Sequence, residues 1–215
     1  MDVVLGTEPR LSAALALCGN CLLDTPRHLG ETPLDARLWE SIPDFGSDEV
    51  RSARERLASR AAVLRGAEGE SDGATEASVE YTRLFIGPPR PAAPPWETFY
   101  RGANAAQQDG RVGYGSATAA MERRLRELGL RVADGRGQYP DHGGIELLYL
   151  SELCRRAEEG DEDAGAHLAP FASDFLDWTA SWQMAIDQAS PEGLYGPLLA
   201  LARALATQLS AMAPA

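Results

Sequence analysis

The chain contains no lysine: all 20 of its basic residues are arginine. Chemistry that needs a lysine amine is excluded by that fact alone, both the phosphate-cradling loop that closes on a lysine and Schiff-base catalysis. Cysteine is scarce as well. Cys18, Cys21 and Cys154 are an odd number and too few to staple a secreted scaffold, so the expected setting is a reducing cytoplasm and a protein stabilised by its core. No uninterrupted apolar run of about 18 residues exists, so no membrane-spanning helix is expected; the nearest stretch, 198–212, is broken by Arg203 and Gln208. The apolar segment Leu11 to Leu23 follows Asp2, Glu8 and a single Arg10. A signal peptide carries a positive flank there, so export is not expected. Strand signals are missing too, because nowhere do β-branched residues alternate with polar ones.

What is present is a chain of 215 residues, 44% hydrophobic and 24% charged, enough for one helical domain with a sizeable core. Acids outnumber bases 32 to 20, for a formal charge of −12. That balance argues against nucleic acid or an anionic membrane as a partner and favours a cationic ligand. Apolar spacing is helical almost throughout: Leu11, Leu15, Cys18 and Leu22 form one stripe, Val50, Arg54, Leu57, Ala61 and Leu64 another with one basic interruption, and Phe171, Phe175, Trp178, Trp182 and Ile186 a third. The pattern predicts an all-α fold of roughly eight to ten helices. They are placed near 10–26, 47–65, 75–85, 96–102, 116–128, 142–158, 171–187 and 191–212, in a single domain. Connections fall near 66–77, at the proline-rich 86–95, and at 129–140, with a further acidic turn at 161–165 ahead of Pro170.

Several short patterns could carry chemistry. Cys18 and Cys21 form a C-x-x-C pair, but the pair lies inside a helix with no second ligand pair and no strand nearby, so core packing is its expected role. Gly113-Tyr114-Gly115 and Gly135-Arg136-Gly137 complete no dinucleotide fingerprint and read as turns. Nothing else marks a cofactor of the chain's own. Asp141-His142-Gly143-Gly144-Ile145-Glu146 opens a helix, with Asp141 placed to cap it and His142 and Glu146 one turn apart. Two glycines in a first turn cost about 1 kcal/mol each relative to alanine, which points to close approach by another backbone. Upstream, Tyr81, Leu84 and Phe85 end a helix, Gly87-Pro88 begins a stiff loop, and Pro94-Pro95-Trp96-Glu97 leads to Tyr100. A proline-stiffened loop ending in Trp-Glu offers an apolar plate beside a carboxylate, a combination suited to an arginine side chain.

These motifs resemble a known family. Tyr81-Thr82-Arg83-Leu84-Phe85-Ile86-Gly87-Pro88 followed by Pro94-Pro95-Trp96-Glu97-Thr98-Phe99-Tyr100 is similar to the Y-x-x-L-F-x-G-P and P-P-W-E-S-x-Y pattern of the TorD/DmsD/NarJ molybdoenzyme chaperones. Pro140-Asp141-His142-Gly143-Gly144-Ile145-Glu146-Leu147 is similar to their P-D-H-x-x-x-E-L, with Thr98 replacing the usual serine and the aliphatic 11–23 segment lacking the family's first-helix aromatics. The resemblance implies a cytoplasmic, non-enzymatic chaperone, monomeric or homodimeric. Such a chaperone binds the twin-arginine leader of a molybdopterin oxidoreductase catalytic subunit, with the folding body of that subunit as a further implied partner, and supports cofactor insertion before export. Trp96, Glu97, Tyr100, Asp141, His142 and Glu146 are its implied peptide-binding positions, while Tyr81, Leu84, Phe85, Gly87, Pro88 and Pro95 shape the corner. The alternatives are a redox or metal protein built on Cys18, Cys21 and His142, and a helical adaptor for another cationic peptide.

Overall fold

The computed structural model describes residues 10–66, 72–101, 115–132 and 137–211. Among them nine α-helices form: α1 (Leu11–Leu23), α2 (Ala36–Glu40), α3 (Asp48–Arg65), α4 (Gly73–Tyr81), α5 (Glu97–Arg101), α6 (Ser116–Glu127), α7 (Gly143–Glu158), α8 (Glu162–Ala189) and α9 (Tyr195–Ser210). A 3-10 turn at Thr32–Leu34 precedes α2, and a π turn at Thr82–Ile86 follows α4. Beyond one antiparallel bridge between Trp96 and His142, the described residues contain no β-structure. None of their helices is long and apolar enough to cross a membrane. Residues 113–114 and 135–136 of the two glycine turns lie outside the described residues, as does Met212.

Local signals start the longer helices. Ser47 accepts the Val50 N–H at 3.3 Å ahead of α3, Asp72 the Thr75 N–H at 2.6 Å ahead of α4, and Asp161 the Ala164 N–H at 3.0 Å ahead of α8. Acids fill the first turns of α3 and α8, where the helix dipole favours negative charge. The acidic segment near 161–163 is therefore the start of α8 and not a turn separating it from an aromatic helix at 171. Pro170 lies inside α8. Its missing N–H costs the helix a bond, on the order of 3 kcal/mol. Burial of Leu168 and Ala164 before the proline and of Phe171, Phe175, Trp178, Trp182 and Ile186 after it offsets that loss. The short 3-10 turn and α2 went unforeseen, since neither spans a full apolar period; they hold the fully buried Trp39, whose indole N–H donates to the Pro33 carbonyl at 2.8 Å.

α9 is the centre of the packing. It is apolar nearly all round, with Leu198, Leu199, Leu201, Ala202, Leu205 and Leu209 buried, and α1, α3 and α8 lie against it. α7 bridges α1 and α8. A methyl group on Gly144 would sit 2.8 Å from the Gly19 carbonyl, and one on Gly19 would sit 2.8 Å from the Gly144 carbonyl, so the two helices cross backbone to backbone. Gly143 meets the Trp182 and Trp178 rings instead. The glycine pair thus serves the close approach expected of it, to a backbone on one side and to indoles on the other.

Candidate functional site

The first motif folds as a corner around Phe85. Its ring packs edge to face on Tyr81, Trp182 and Tyr195 at centroid distances of 5.2, 5.8 and 5.1 Å. Gly87 then turns the chain at φ +96°, donating its N–H to the Thr82 carbonyl at 2.8 Å. The proline loop folds back on the corner through Ala92 and Ala93, which donate to the Arg83 and Leu84 carbonyls, and Trp182 donates its indole N–H to the Ala93 carbonyl at 3.1 Å. Tyr81, Leu84, Phe85 and Pro95 are buried and shape this corner, and Pro88 follows the turn at its surface. Glu80 belongs to it too: its buried carboxylate accepts the Leu194 and Tyr195 N–H groups at 2.9 and 3.5 Å, capping α9, which has no cap from its own chain end.

The second motif is joined to the first by two backbone bonds, Glu97 N–H to the Asp141 carbonyl at 3.0 Å and Gly143 N–H to the Pro95 carbonyl at 2.8 Å. Asp141 is fully buried and does not cap α7. One carboxylate oxygen accepts the Thr98 N–H at 3.1 Å and the Thr98 hydroxyl, and the other accepts the Thr118 hydroxyl at 2.9 Å. Asp141 thereby clamps α5 and α6 to the start of α7. The cap is His142, whose Nδ1 accepts the Gly144 N–H at 3.0 Å, an arrangement that leaves the ring proton on Nε2. Complete burial holds this imidazole's pKa down to about 3.

The inner face carries the other two acids. Glu146, 2% exposed, accepts the Trp178 indole N–H at 2.9 Å, and burial together with the neighbouring Glu97 raises its pKa well above the ordinary value. Burial also raises Glu97, although Arg101 donates to it at 3.0 Å. Aromatic rings wall the cluster: Tyr100 stacks on Trp178 at 5.7 Å, Trp178 stacks on Trp182 at 5.4 Å, and Trp96 sets its edge against Tyr139 and His142 at 6.4 and 6.0 Å. Four buried polar atoms in this one cluster have no hydrogen-bond partner among the described residues: Trp96 Nε1, Tyr100 Oη, His142 Nε2 and Glu146 Oε1. Beside it, along α7, a groove of about 420 Å³ is lined by Leu23, Leu125, Leu130, Ile145, Leu148 and Tyr149.

All six candidate residues therefore gather in one place. Asp141, His142 and Glu146 are sealed, Glu97 is nearly so, and Trp96 and Tyr100 are half-buried. Sequence reasoning missed Thr118, Arg101 and Trp178. The apolar stripe marks Trp178 only as core, yet an indole N–H buried in a core needs an acceptor, which marks such a residue for a polar partner. Cys18 and Cys21 lie elsewhere in the core as free thiols, and burial raises both, Cys21 to about 12. Thiolate chemistry is disfavoured there. Among the described residues no group of three or more His, Cys, Asp and Glu is placed to hold a metal ion.

Fold and site together define an all-α protein with a buried acidic and aromatic centre, assembled where a proline-stiffened corner meets the start of a helix. The chain belongs to the family described as nitrate reductase delta subunit, whose sequence pattern matches residues 46–182, a span that contains the whole cluster. It is also 31% identical over 99 residues to a Tat proofreading chaperone DmsD of Salmonella paratyphi A and to one of Salmonella typhimurium, and 30% identical to one of Salmonella typhi. Each match covers 45% of this chain and 46% of the relative, so the chain spans about half the length of the curated relatives it matches.

Proposed function

We propose that this protein is a cytoplasmic maturation chaperone, and no enzyme, that binds the twin-arginine leader of a molybdopterin oxidoreductase and withholds it from export until the cofactor is in place. Family membership and the likeness to proofreading chaperones support the class. The observation that carries the binding reading is the set of four buried polar atoms left without partners beside Glu97 and Glu146. Groups in that state cost free energy until something pairs with them. A guanidinium can donate to two of them, Glu146 Oε1 and Tyr100 Oη, whereas Trp96 Nε1 and His142 Nε2 are donors that backbone carbonyls of the leader would satisfy.

In this reading Glu97 and Glu146 receive the leader's arginines, and Trp96 and Tyr100 flank the guanidinium planes. Asp141 and His142 hold the two motifs in register. The apolar groove beside α7 suits the apolar stretch that follows the arginines. Glu146 is sealed under Trp178, on which Tyr100 stacks, so in this reading the short α5 turn has to shift before an arginine reaches the inner carboxyl. The leader loses conformational entropy on ordering, so affinity is moderate.

Calorimetry of the purified protein against leaders with two adjacent arginines, and against their diglutamine counterparts, tests the proposal. The expected result is saturable binding that weakens at least about thirtyfold with glutamines. A flat titration, or equal binding of both forms, would leave a helical adaptor for another ligand as the better account.

A further inference from the structure

We infer that Arg101 is an internal competitor of the ligand: in the free protein its guanidinium occupies Glu97, and an incoming arginine binds by displacing it. This rests on the leader-binding reading above and adds a residue that sets the affinity of that site.

The geometry is that of an occupied arginine site. Arg101 lies one helical turn after Glu97 on α5 and donates Nη1 to the Glu97 carboxylate at 3.0 Å. Its other arm, Nη2, donates to the Asp177 carboxylate at 2.7 Å and to the Asp174 carbonyl at 2.9 Å, both on α8. The Glu97 side chain is 11% exposed, that of Arg101 33% and that of Asp177 78%. The guanidinium therefore spans from a buried acid to an open one. Moving outward, it gives up Glu97 and keeps the two acceptors on α8, so its displacement strands no charge. An incoming guanidinium inherits a carboxylate already desolvated and oriented for a planar donor. The apparent affinity is reduced by the fraction of molecules in which Arg101 still holds Glu97. Removing Arg101 should consequently tighten binding, whereas a residue that merely supported the fold would weaken it when lost.

The test compares the full-length wild type with Arg101→Gln, Arg101→Lys and the exposed control Arg123→Gln. The probe is a synthetic peptide with two adjacent arginines before an apolar run, alongside its diglutamine counterpart, and Kd and thermal midpoint are both measured. Arg101→Gln should bind the diarginine peptide about three- to tenfold more tightly, with a lowered or unchanged midpoint. Arg101→Lys, a single point donor that cannot bridge α5 and α8 as the fork does, should tighten less, and Arg123→Gln should change Kd by less than about twofold. Equal or weaker binding by a folded Arg101→Gln overturns the inference, as does equal tightening by Arg123→Gln. If Arg101→Gln does not fold, Arg101→Lys decides in the same sense. Failure of both wild type and variants to distinguish diarginine from diglutamine refutes the leader-binding reading, and this inference with it.

Discussion

Asp141→Ala removes a side chain that joins α5, α6 and the start of α7. Three bonds are lost, from the Thr98 N–H, the Thr98 hydroxyl and the Thr118 hydroxyl. Hydrogen bonds to a charged group contribute about 1.5–3 kcal/mol each, but the loss is smaller than their sum. The two threonine hydroxyls stand 3.1 Å apart and can pair with each other, leaving the Thr98 N–H as the orphan. Deleting the carboxylate also relieves repulsion on Glu97 and Glu146, both of which Asp141 pushes upward. The balance is a destabilisation of about 2–4 kcal/mol, or roughly 5–15 °C in thermal midpoint for a chain of this size. Urea unfolding followed by circular dichroism should show a lower midpoint with an unchanged slope. A cycle with Thr98→Ala should recover a coupling of about 1–2 kcal/mol between the two residues. A loss below about 1 kcal/mol, or strictly additive losses, would mean that the carboxylate is not what fastens the motifs together.

Two further outcomes follow from the site's construction. His142 has its pKa held at about 3 in the folded protein against 6.5 when free, so the folded state binds fewer protons between those values. Its contribution is therefore complete above about pH 6.5 and lost as pH falls toward 3, with a slope approaching 1.4 kcal/mol per pH unit. Stability measured from pH 7 to pH 4 should fall less steeply for His142→Asn, which keeps a capping side chain, and parallel curves would refute the buried neutral imidazole. Gly144→Ala should cost roughly 2–4 kcal/mol despite alanine's better helix propensity, because the new methyl meets the Gly19 carbonyl at 2.8 Å and the Leu23 side chain at 2.7 Å. A neutral or higher thermal midpoint for that variant would show that α1 and α7 are free to separate.

The helical stripes are readable because burial repeats along them: of Val50, Arg54, Leu57, Ala61 and Leu64 on one face, the four apolar residues are buried and only the basic Arg54 is half-buried. Errors arose where one residue type has two local meanings. Pro170 looked like a boundary, yet enough apolar surface is buried on both sides to carry α8 across it. Asp141 looked like a cap by type, but the bridge between Trp96 and His142 advances the helix start by one residue and turns Asp141 inward. For the site, the positions were legible as motifs and their depth was not. Nothing local distinguishes a solvated Glu146 from one sealed under Trp178, since the indole arrives from a helix 32 residues away. Glu80 did leave a trace: it falls on the α4 face beside Ala77 and Tyr81, which are buried, and a carboxylate among such neighbours needs a donor.

Depth also bears on what the acidic surplus of 32 against 20 does for recognition. Exposed acids such as Asp48 and Asp177, with side chains 91% and 78% exposed, attract any cation weakly, and salt screens that attraction. They confer no preference for arginine. Glu97 and Glu146 work differently, because a ligand group that enters their surroundings exchanges its hydration for the hydrogen bonds on offer, and each bond it fails to make leaves a buried partner unsatisfied at about 1–3 kcal/mol. Glutamine offers one amide where arginine offers a charged fork of five N–H donors. Two or more missed bonds amount to at least about 2 kcal/mol, which is roughly thirtyfold in Kd. On the proposed reading, then, the surface charge accounts for the encounter and its salt dependence, while discrimination between diarginine and diglutamine comes from the buried pair. Raising ionic strength should accordingly weaken binding of both peptides and leave the ratio between them largely intact; a ratio that collapses with salt would place recognition on the surface acids.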